Sequence, residues 1–455
     1  TDPQPSSIIA GGQQTFRFRV DAMPWAVGDQ GIVINGLVTF DSAGSRLTAQ
    51  PWSESPAIGF EYINAPIVVD LVDDTVQDDG QTSLREALIV AAASPGVDRI
   101  VFDSAVFAPG DGTVIQLDES LDELPAITAN GGGLVIDGSG ADVTLAVDSN
   151  WTDPEGRYGL QLDGGRLVVY GIGFRDMGYN YRDEGDLSGN NCGASGAQLE
   201  GGAIRVDGGT LVVQDSHFAD PNVDERNCYA ASIRIHGGSG HRILGSRWTE
   251  QSMDAIYLNA AAVEITDNVF DAESSLAKVD ECIYIDGQGG QDLWVIGNLC
   301  VDQEYSGVVA GGGDAGTLYL AHNTFVRTGR SGLGAIRRNG TSREIVGRNN
   351  LYVDNNPAAY DDNDNGNGMD IAFDAVTGSP FCDSGCASAV RNTPSLLELD
   401  DLDLVNSSGT TMSELRPNAT SPIVNSGVDW IDRNGTSPGR FNGPGCERGA
   451  VELGP

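Results

Sequence analysis

Three acidic residues at the start of two similar segments could carry acid–base chemistry. Asp254 opens DAIYLNAAAVEITDNVF, and Asp280 and Glu281 open the later segment DECIYIDGQGGQDLWVIGNLC. Aligning the two segments puts Asp254 and Glu281 in one column, with Asp280 beside them. Neighbouring carboxylates repel, which raises the pKa of one of them, and glycosidases use such a pair as general acid and base. The alternative is that these acidic residues only occupy a structural position of the repeat and have no catalytic role.

An arginine-rich stretch could bind an anion. Six arginines and one acid, Glu344, lie between positions 327 and 348 of a chain whose net charge is −39. The arginines are Arg327, Arg330, Arg337, Arg338, Arg343 and Arg348. They predict a groove for an acidic polysaccharide or a socket for an acidic neighbouring subunit. The alternative is internal pairing with the aspartates at 354, 361, 362 and 364.

A third pattern resembles the start of a calcium loop. Asp361, Asn363, Asn365 and Gly366 follow the D-x-N-x-N-G spacing, and oxygen ligands suit Ca²⁺. The bidentate Glu expected at position twelve is absent, so Asp370 would have to replace it. A solvated acidic turn explains the same residues. No organic cofactor is expected, because no helix follows the Gly-rich turn at 311–316.

Repeats must position all of these residues. Four copies of one pattern run from Asp254 to Tyr352, each with two alternating strands, a turn, an Asn and an apolar residue two places later. The Asn positions are Asn268, Asn298, Asn323 and Asn350, and the closing positions are Phe270, Cys300, Phe325 and Tyr352. Weaker copies upstream put Ser216 with Phe218 and Ser246 with Trp248 in these roles. The closing positions recur every 22 to 30 residues, too few for a propeller blade. The pattern predicts an all-β, right-handed parallel β-helix in which Asn and aromatic residues stack from coil to coil.

The composition limits the function. The 455 residues include 65 acidic and 26 basic ones, of which only Lys278 is a lysine. Because phosphate binding needs a basic surface, nucleic acid is not an expected partner. No apolar run is long enough to span a membrane. A start at Thr1 without Met is expected of a processed form, and the seven cysteines favour disulfides over buried thiols in an oxidising compartment.

The chain divides into three predicted regions. Residues 1–68 do not repeat, and their alternating stretches at 13–20 and 32–40 predict strands that form a cap or pair with another subunit. Residues 69–395 form the β-helix. Its open end is covered by a helix near 83–93, whose start is marked by the capping box Ser83-Leu-Arg-Glu86. Residues 396–455 form a C-terminal cap.

Two stretches resemble segments of known families. SLREAL at 83–88 with the following RIVFDSAVF resembles the CSLREA-type segment of secreted bacterial β-helix proteins, with Ser83 where that family usually has Cys. SPIVNSGVDWIDRNGTSPGRFNGPGCERGAVEL at 421–453 resembles the choice-of-anchor Q pattern. The resemblance implies a pectate-lyase-like solenoid and export to the extracellular space or cell surface.

A weaker resemblance concerns catalysis. MDAIYL and DECIYI look like the N-T-D-G-I-D and D-D-C-I motifs of polygalacturonases, but the family's G-H-G position falls near 306–308, where there is no His, and no R-I-K follows. A lyase would need a base, for which Lys278, Arg337 and Arg338 are the candidates.

The resulting expectation is a structural or adhesive surface protein that binds glycans or other subunits. The first 68 residues would dock on the next copy and give head-to-tail filaments. The alternative is a polysaccharide-degrading enzyme, either an inverting glycoside hydrolase or a lyase acting on an acidic polysaccharide.

Overall fold

The computed structural model of the protein describes most of the region between residues 65 and 377. The described ranges are 65–128, 132–147, 158–177, 201–219, 231–249, 254–259, 262–272, 281–287, 290–312, 316–340, 343–362, 368–372, 374–377 and 380, with short strands at 31–32, 39–40, 46–47, 60–61, 390–391 and 397–398.

The described residues of the N-terminal region form four short strands. These are β1 (Gly31–Ile32), β2 (Thr39–Phe40), β3 (Arg46–Leu47) and β4 (Phe60–Glu61). β1 pairs antiparallel with β4, and β2 with β3. The alternating stretch predicted at 13–20 lies outside the described residues, and so does nearly all of the predicted cap at 396–455. The three-region division therefore stays a prediction.

The solenoid begins with an irregular part. It contains β5 (Ile67–Val69), α1 (Leu84–Ala93), β6 (Val97–Phe102), β7 (Thr113–Leu117), a 3₁₀ turn (Glu119–Leu121), β8 (Gly133–Asp137) and β9 (Val143–Val147). From β10 onward each full coil supplies one strand to each of three sheets. These strands are β10 (Tyr158–Leu162), β11 (Arg166–Tyr170), β12 (Gly173–Arg175), β13 (Gly202–Val206), β14 (Thr210–Gln214), β15 (His217–Ala219), β16 (Ala231–Ile235), β17 (His241–Leu244), β18 (Arg247–Thr249), β19 (Asp254–Leu258), β20 (Val263–Thr266), β21 (Val269–Asp271), β22 (Ile283–Ile285), β23 (Leu293–Ile296), β24 (Leu299–Val301), β25 (Val308–Ala310), β26 (Thr317–Ala321), β27 (Thr324–Val326), β28 (Ile336–Arg338), β29 (Glu344–Arg348), β30 (Leu351–Val353), β31 (Tyr360–Asp362), β32 (Met369–Ala372), β33 (Ala375–Thr377), β34 (Val390–Arg391) and β35 (Leu397–Glu398).

Three parallel sheets form the walls of the solenoid. Among the strands that the structure describes, sheet 1 has 8 from β10 to β31, sheet 2 has 12 from β5 to β34, and sheet 3 has 11 from β7 to β35. Within each sheet a strand pairs with the equivalent strand of the next coil, and the inward residues of all three sheets form one continuous apolar core. The predicted parallel β-helix is confirmed.

The predicted asparagine ladder lies at the tight turn between sheet 2 and sheet 3. The backbone N–H and the Nδ2 of Asn268 both donate to Oδ1 of Asn298, at 3.0 Å. Asn298 does the same to Asn323, and Asn323 to Asn350, again at 3.0 Å. The last member, Asn350, donates its backbone N–H to Oδ1 of the buried Asp374 at 2.8 Å. Each turn is therefore satisfied by the next coil, as burial of backbone groups requires.

The predicted aromatic stack fills the core behind this ladder. Phe218, Trp248 and Phe270 stack with ring centroids 4.6 Å apart at each step. Phe325 and Tyr352 continue the stack at 5.3 Å, beyond the coil that carries Cys300. These distances are close to the rise of one coil, about 4.8 Å, so in-register stacking follows from the repeat itself.

A disulfide takes the place of the missing ring in that coil. Cys300 of β24 in sheet 3 is bonded to Cys282, which directly precedes β22 in sheet 1, with a Cα–Cα distance of 6.5 Å. The bond ties two sheets together within one coil. The other five cysteines lie outside the described residues.

The capping helix α1 confirms the predicted position and start. Ser83 accepts a hydrogen bond from the Glu86 backbone N–H at 3.1 Å, and the Glu86 carboxylate accepts one from Ser83 N–H at 2.8 Å. This reciprocal pair satisfies two of the donors that a helix start leaves without partners. The buried face of the helix is made by Leu84, Ala87, Leu88 and Ala91.

Arg85 ties this helix to the loop beside it. Its guanidinium forms a two-bond ion pair with Asp74 at 2.8 Å and donates to three successive carbonyl groups of residues 121–123, at 2.8 to 3.0 Å. Asp74 also accepts from the Asp118 backbone N–H at 2.9 Å. The Leu-Arg-Glu part of the SLREA stretch therefore has a structural role here.

Candidate functional site

The outward residues of sheet 1 form a column of mainly polar, charged and aromatic side chains. In register from β10 to β31 its members are Gln161, Arg205, Arg234, Tyr257, Tyr284, Val309, Arg337 and Asp361. The apolar residues that alternate with them point inward and belong to the core. We call the central part of this column, together with the carboxyl groups beside it, the sheet 1 cluster: Arg234, Asp254, Tyr257, Glu281, Tyr284, Asp286 and Arg337.

Asp254 and Glu281 lie next to each other at the edge of this cluster, as the alignment of the repeats predicted. Each is 8% exposed, and the Glu281 backbone N–H donates to Oδ1 of Asp254 at 3.1 Å. Burial raises the pKa of Asp254 well above its usual range, and the nearby Glu281 carboxylate, whose side chain hydrogen-bonds to it, raises the pKa further. Asp254 therefore holds a proton at pH values at which an exposed carboxyl group has lost it. Asp280 lies outside the described residues, and the catalytic role of the three stays a prediction.

Two stacked tyrosines occupy the centre of the cluster. The rings of Tyr257 and Tyr284 are 5.4 Å apart and nearly parallel. The Arg234 guanidinium lies over Tyr257, 4.5 Å from the ring centroid, and the Tyr257 hydroxyl donates to Asp286 Oδ2 at 2.6 Å. Tyr257 and Arg234 are buried, whereas Tyr284 is partly exposed. The buried pair thus holds the exposed ring in a fixed position.

Both phenols remain protonated at neutral pH. Burial first, and then the hydrogen bond to Asp286, raises the pKa of Tyr257. Burial and the charge of Asp286 raise the pKa of Tyr284 to about 12, although Arg337 works in the opposite direction. These phenols can therefore donate hydrogen bonds but do not serve as bases in the resting protein.

Arg337 is the basic group on the far side of the tyrosines. It is separated from Tyr284 by the small residue Val309, which is buried, and it is itself partly exposed. Its Nε lies 3.6 Å from Oδ2 of Asp361 in the next coil. Sheet 1 therefore presents an aromatic ring and a guanidinium on one surface.

The structure does not gather the six predicted arginines on one surface. Arg327 lies at the turn after sheet 3, where it forms a two-bond ion pair with Asp302 at 2.7 and 2.8 Å. Arg330 contacts the same Asp302 carboxylate. Arg337 is the member that faces outward from sheet 1.

The other three arginines also have partners within the protein. Arg338 ends β28 in sheet 1, Arg343 directly precedes β29 in sheet 2, and Arg348 ends β29. Arg338 is buried in register with the core residue Ala310, and its Nε donates to the carbonyl of Arg343 at 3.2 Å. Arg343 is buried, and Arg348 pairs with Asp370 at 2.9 Å.

Arginines that are close in sequence lie far apart on the surface, because successive strands belong to different sheets. Arg337 follows the pairing alternative, with Asp361 as its partner. Arg327, Arg330 and Arg348 also pair internally, although with Asp302 and Asp370.

The predicted calcium ligands are likewise divided. Asp361 lies on β31 in sheet 1 and faces Arg337, whereas Asp370 lies on β32 in sheet 2 and faces Arg348. Asn363 and Asn365 lie outside the described residues. Within the described part of the chain, no group of three or more His, Cys, Asp or Glu residues is placed to hold a metal ion. The calcium site stays a prediction.

Sequence reasoning missed the residues that link the acidic pair to the arginine. The alternation in AIYL and IYI shows that both tyrosines share a face, and the repeat alignment would have stacked them. Arg234 was missed, because only the closing positions of its coil, Ser246 and Trp248, match the repeat.

Comparison with known proteins gives a limited result. No protein-family model matches the chain, and no curated protein matches it. Solved structures that match include a crystal structure of a pectate lyase, with a TM-score of 0.43 and 14% sequence identity, covering 85% of this chain and 96% of that chain. Among the residues that the structure describes, no helix has the length and apolar character needed to cross a membrane.

Proposed function

We propose that the protein is an extracellular or cell-surface β-helix that binds an acidic polysaccharide on sheet 1. The observation that carries this proposal is the in-register arrangement of Tyr284 and Arg337 on the outer face of sheet 1, in one column with Tyr257 and Arg234 of the two preceding coils. An aromatic ring can stack on a sugar, and a guanidinium can pair with the carboxylate of a uronate. A solenoid extends such a surface along its axis, which suits a chain-like ligand.

An oxidising location agrees with this proposal. The disulfide between Cys282 and Cys300 belongs to the coil that carries Glu281 and Tyr284. Disulfides persist mainly in secreted and cell-surface proteins.

Binding can be tested with polygalacturonate, alginate and an uncharged glucan by calorimetry. We expect the two uronate polymers to bind, and Tyr284→Ala and Arg337→Gln each to weaken binding by about 10-fold or more, which is about 1.4 kcal/mol. Arg175→Gln is the matched control, because Arg175 is an exposed arginine on sheet 3. Equal binding by all variants, or binding of none of the three polymers, would overturn the proposal.

A second candidate function is polysaccharide cleavage, and the protonated Asp254 favours it. A neutral carboxyl group can protonate a leaving oxygen. However, Asp254 and Glu281 are in hydrogen-bond contact, whereas the two carboxyl groups of an inverting glycosidase are about 6.5–9.5 Å apart. The pair would therefore supply one proton together, and the base would come from another group. For a lyase, Lys278 lies outside the described residues and Arg338 is buried, so Arg337 is the described candidate on this face.

Cleavage is tested by incubating the protein with the same polymers and measuring new reducing ends and unsaturated products. Steady turnover that Asp254→Asn abolishes would make the protein an enzyme. Reducing ends alone would indicate a hydrolase, and unsaturated products a lyase. Binding without either product would leave the binding function as the better account.

A further inference from the structure

The outer face of sheet 3 is polar in its first coils. The side chains of Arg175 and Arg247, which lie on this face, are 47% and 52% exposed. His217, in register with Arg247, is exposed as well, while the aromatic residues Phe218 and Trp248 between the outward positions point into the core. Such alternation is typical of strands with one face in solvent. These coils therefore have solvent on the outer side of sheet 3.

From β24 onward the same face is apolar. The strands read LCV, TFV and LYV, and their central residues Cys300, Phe325 and Tyr352 point into the core. Near-continuous apolar runs of this kind indicate strands that are covered on both faces. The outward apolar residues form a cluster separate from the core, which we call the outer cluster of sheet 3: Leu299, Val301, Val326, Leu351, Val353 and Ala375.

The outer cluster is almost completely buried in the single chain. All six members are 0 or 1% exposed, whereas about half of the Arg247 side chain is exposed on the same face. The core lies on the other side of the wall and does not cover them. Among the described residues, the further apolar residue packed against the cluster is Val269, which belongs to the same sheet. A side chain on an outer wall is inaccessible only when a further layer lies over it, so another part of this chain covers the face.

The chain leaves the solenoid next to the outer cluster. β35, the last described strand of sheet 3, pairs with β33 and puts Leu397 in register with Ala375. Residues 399–455 follow, and leucines are frequent at their start, at positions 399, 402 and 404. The distance from β33 back to β24 is about 14 Å at the rise of one coil, which about five extended residues can cross. The N-terminal region, in contrast, enters at β5, at the opposite end of the solenoid.

We propose that residues 399–455 fold back along the outer face of sheet 3 and cover the outer cluster of their own chain. The burial exists within a single chain, whereas a second copy would cover the face only on association. The C-terminal segment then forms a second layer on the side of the solenoid, rather than a cap across its open end. The sheet 1 cluster lies on a different wall and takes no part in this contact.

The first experiment cuts the chain between the solenoid and the segment. A protease recognition sequence is inserted after Glu398, the folded full chain is cut, and size-exclusion chromatography shows whether residues 399–455 stay bound. They should stay bound to the wild type. Val326→Asp puts a carboxylate into the covered face and should raise the dissociation constant of the cut segment at least about 10-fold. His217→Asp, at an exposed position of the same sheet, is the matched control and should retain the segment. A cut segment that separates from the wild type, or that both variants retain equally, would overturn the proposal.

A second measurement introduces no charge and does not depend on how Val326→Asp folds. Leucine is replaced during expression by a photoreactive leucine, which places cross-linking groups at Leu299 and Leu351 of the full chain. We expect these two positions to cross-link to residues 399–455 of the same chain. In a mixture of isotope-labelled and unlabelled chains, links between the two kinds of chain would overturn the proposal and assign the cover to a second copy. Links to a different segment, or none from these positions, would overturn it as well.

Discussion

Two buried charged clusters in this molecule differ in how their charges are balanced. At the cap, Asp74 and Arg85 have opposite charges, and their side-chain hydrogen bonds are made within the protein. On sheet 1, Asp254 and Glu281 are two carboxyl groups that share one small space, so the pKa of Asp254 is raised, and Arg234 is only a weaker counter-charge. The first arrangement serves the fold, because removing either member would leave a buried charge. The second costs stability at neutral pH, which is typical of sites kept for function.

The largest effect should come from breaking the cap cluster. Arg85→Leu leaves the Asp74 carboxylate and three carbonyl groups buried without their donor. We expect a loss of about 3–5 kcal/mol in the free energy of unfolding, measured by urea denaturation. Arg175→Leu, at an exposed position on sheet 3, is the control and should change little. If Arg85→Leu lowers the free energy of unfolding no more than the control does, the ion pair of the cap does not stabilise the solenoid.

The next largest effect on the free energy of unfolding should come from a buried histidine. It tests whether a buried group that is neutral in the folded protein also makes stability depend on pH. His241 accepts a hydrogen bond from the Leu211 backbone N–H at Nδ1, its Nε2 lies 3.0 Å from the Gly237 carbonyl oxygen, and burial lowers its pKa to about 4. Because the folded pKa lies below the unfolded value of about 6.5, this group's contribution is present above pH 6.5. It is lost as the pH falls through about 4, and amounts to about 3 kcal/mol.

The measurement is the free energy of unfolding as a function of pH. His241→Leu should be less stable than the wild type at pH 8 but should lose about one proton of pH dependence between pH 6.5 and 4. His217→Gln, at an exposed position, should keep the wild-type slope. An unchanged slope in His241→Leu would contradict the assignment.

The smallest effect should come from Asp254→Asn, which we expect to stabilise the protein rather than destabilise it. Because the folded pKa of Asp254 is raised, its stabilising contribution is present below the unfolded pKa and is lost as the pH rises through the folded value. Asp254→Asn keeps an acceptor for the Glu281 N–H and removes the ionisable group. We expect it to raise the free energy of unfolding at pH 8 by about 1 kcal/mol. Destabilisation at that pH would place Asp254 among the structural charges.

The sequence predicts the fold well, because residues at equivalent positions of successive repeats are neighbours in a β-helix. Asn268 and Asn298 lie one coil apart in sequence and in space, so the ladder and the aromatic stack follow from alignment alone. The same reasoning brought Asp254 beside Glu281. It failed for the arginines, because Arg330, Arg337 and Arg348 are close in sequence but separated by turns that lead to different sheets. It also missed Asp374, because the pattern requires an Asn at that position.

The end of the asparagine ladder has a consequence for how such a chain can change in length. An asparagine both accepts from the coil before it and donates its amide to the coil after it, so a duplicated Asn-containing coil could be inserted anywhere between Asn268 and Asn350. Asp374 accepts from Asn350, and from the Tyr360 hydroxyl at 2.9 Å, but an ionised carboxylate has no hydrogen to donate. Replacing an internal Asn by Asp would therefore remove the side-chain hydrogen bond to the next coil and leave only the one from the backbone N–H. Asn and Asp have nearly the same shape, so the difference between an amide and a carboxylate determines how far the side-chain ladder extends.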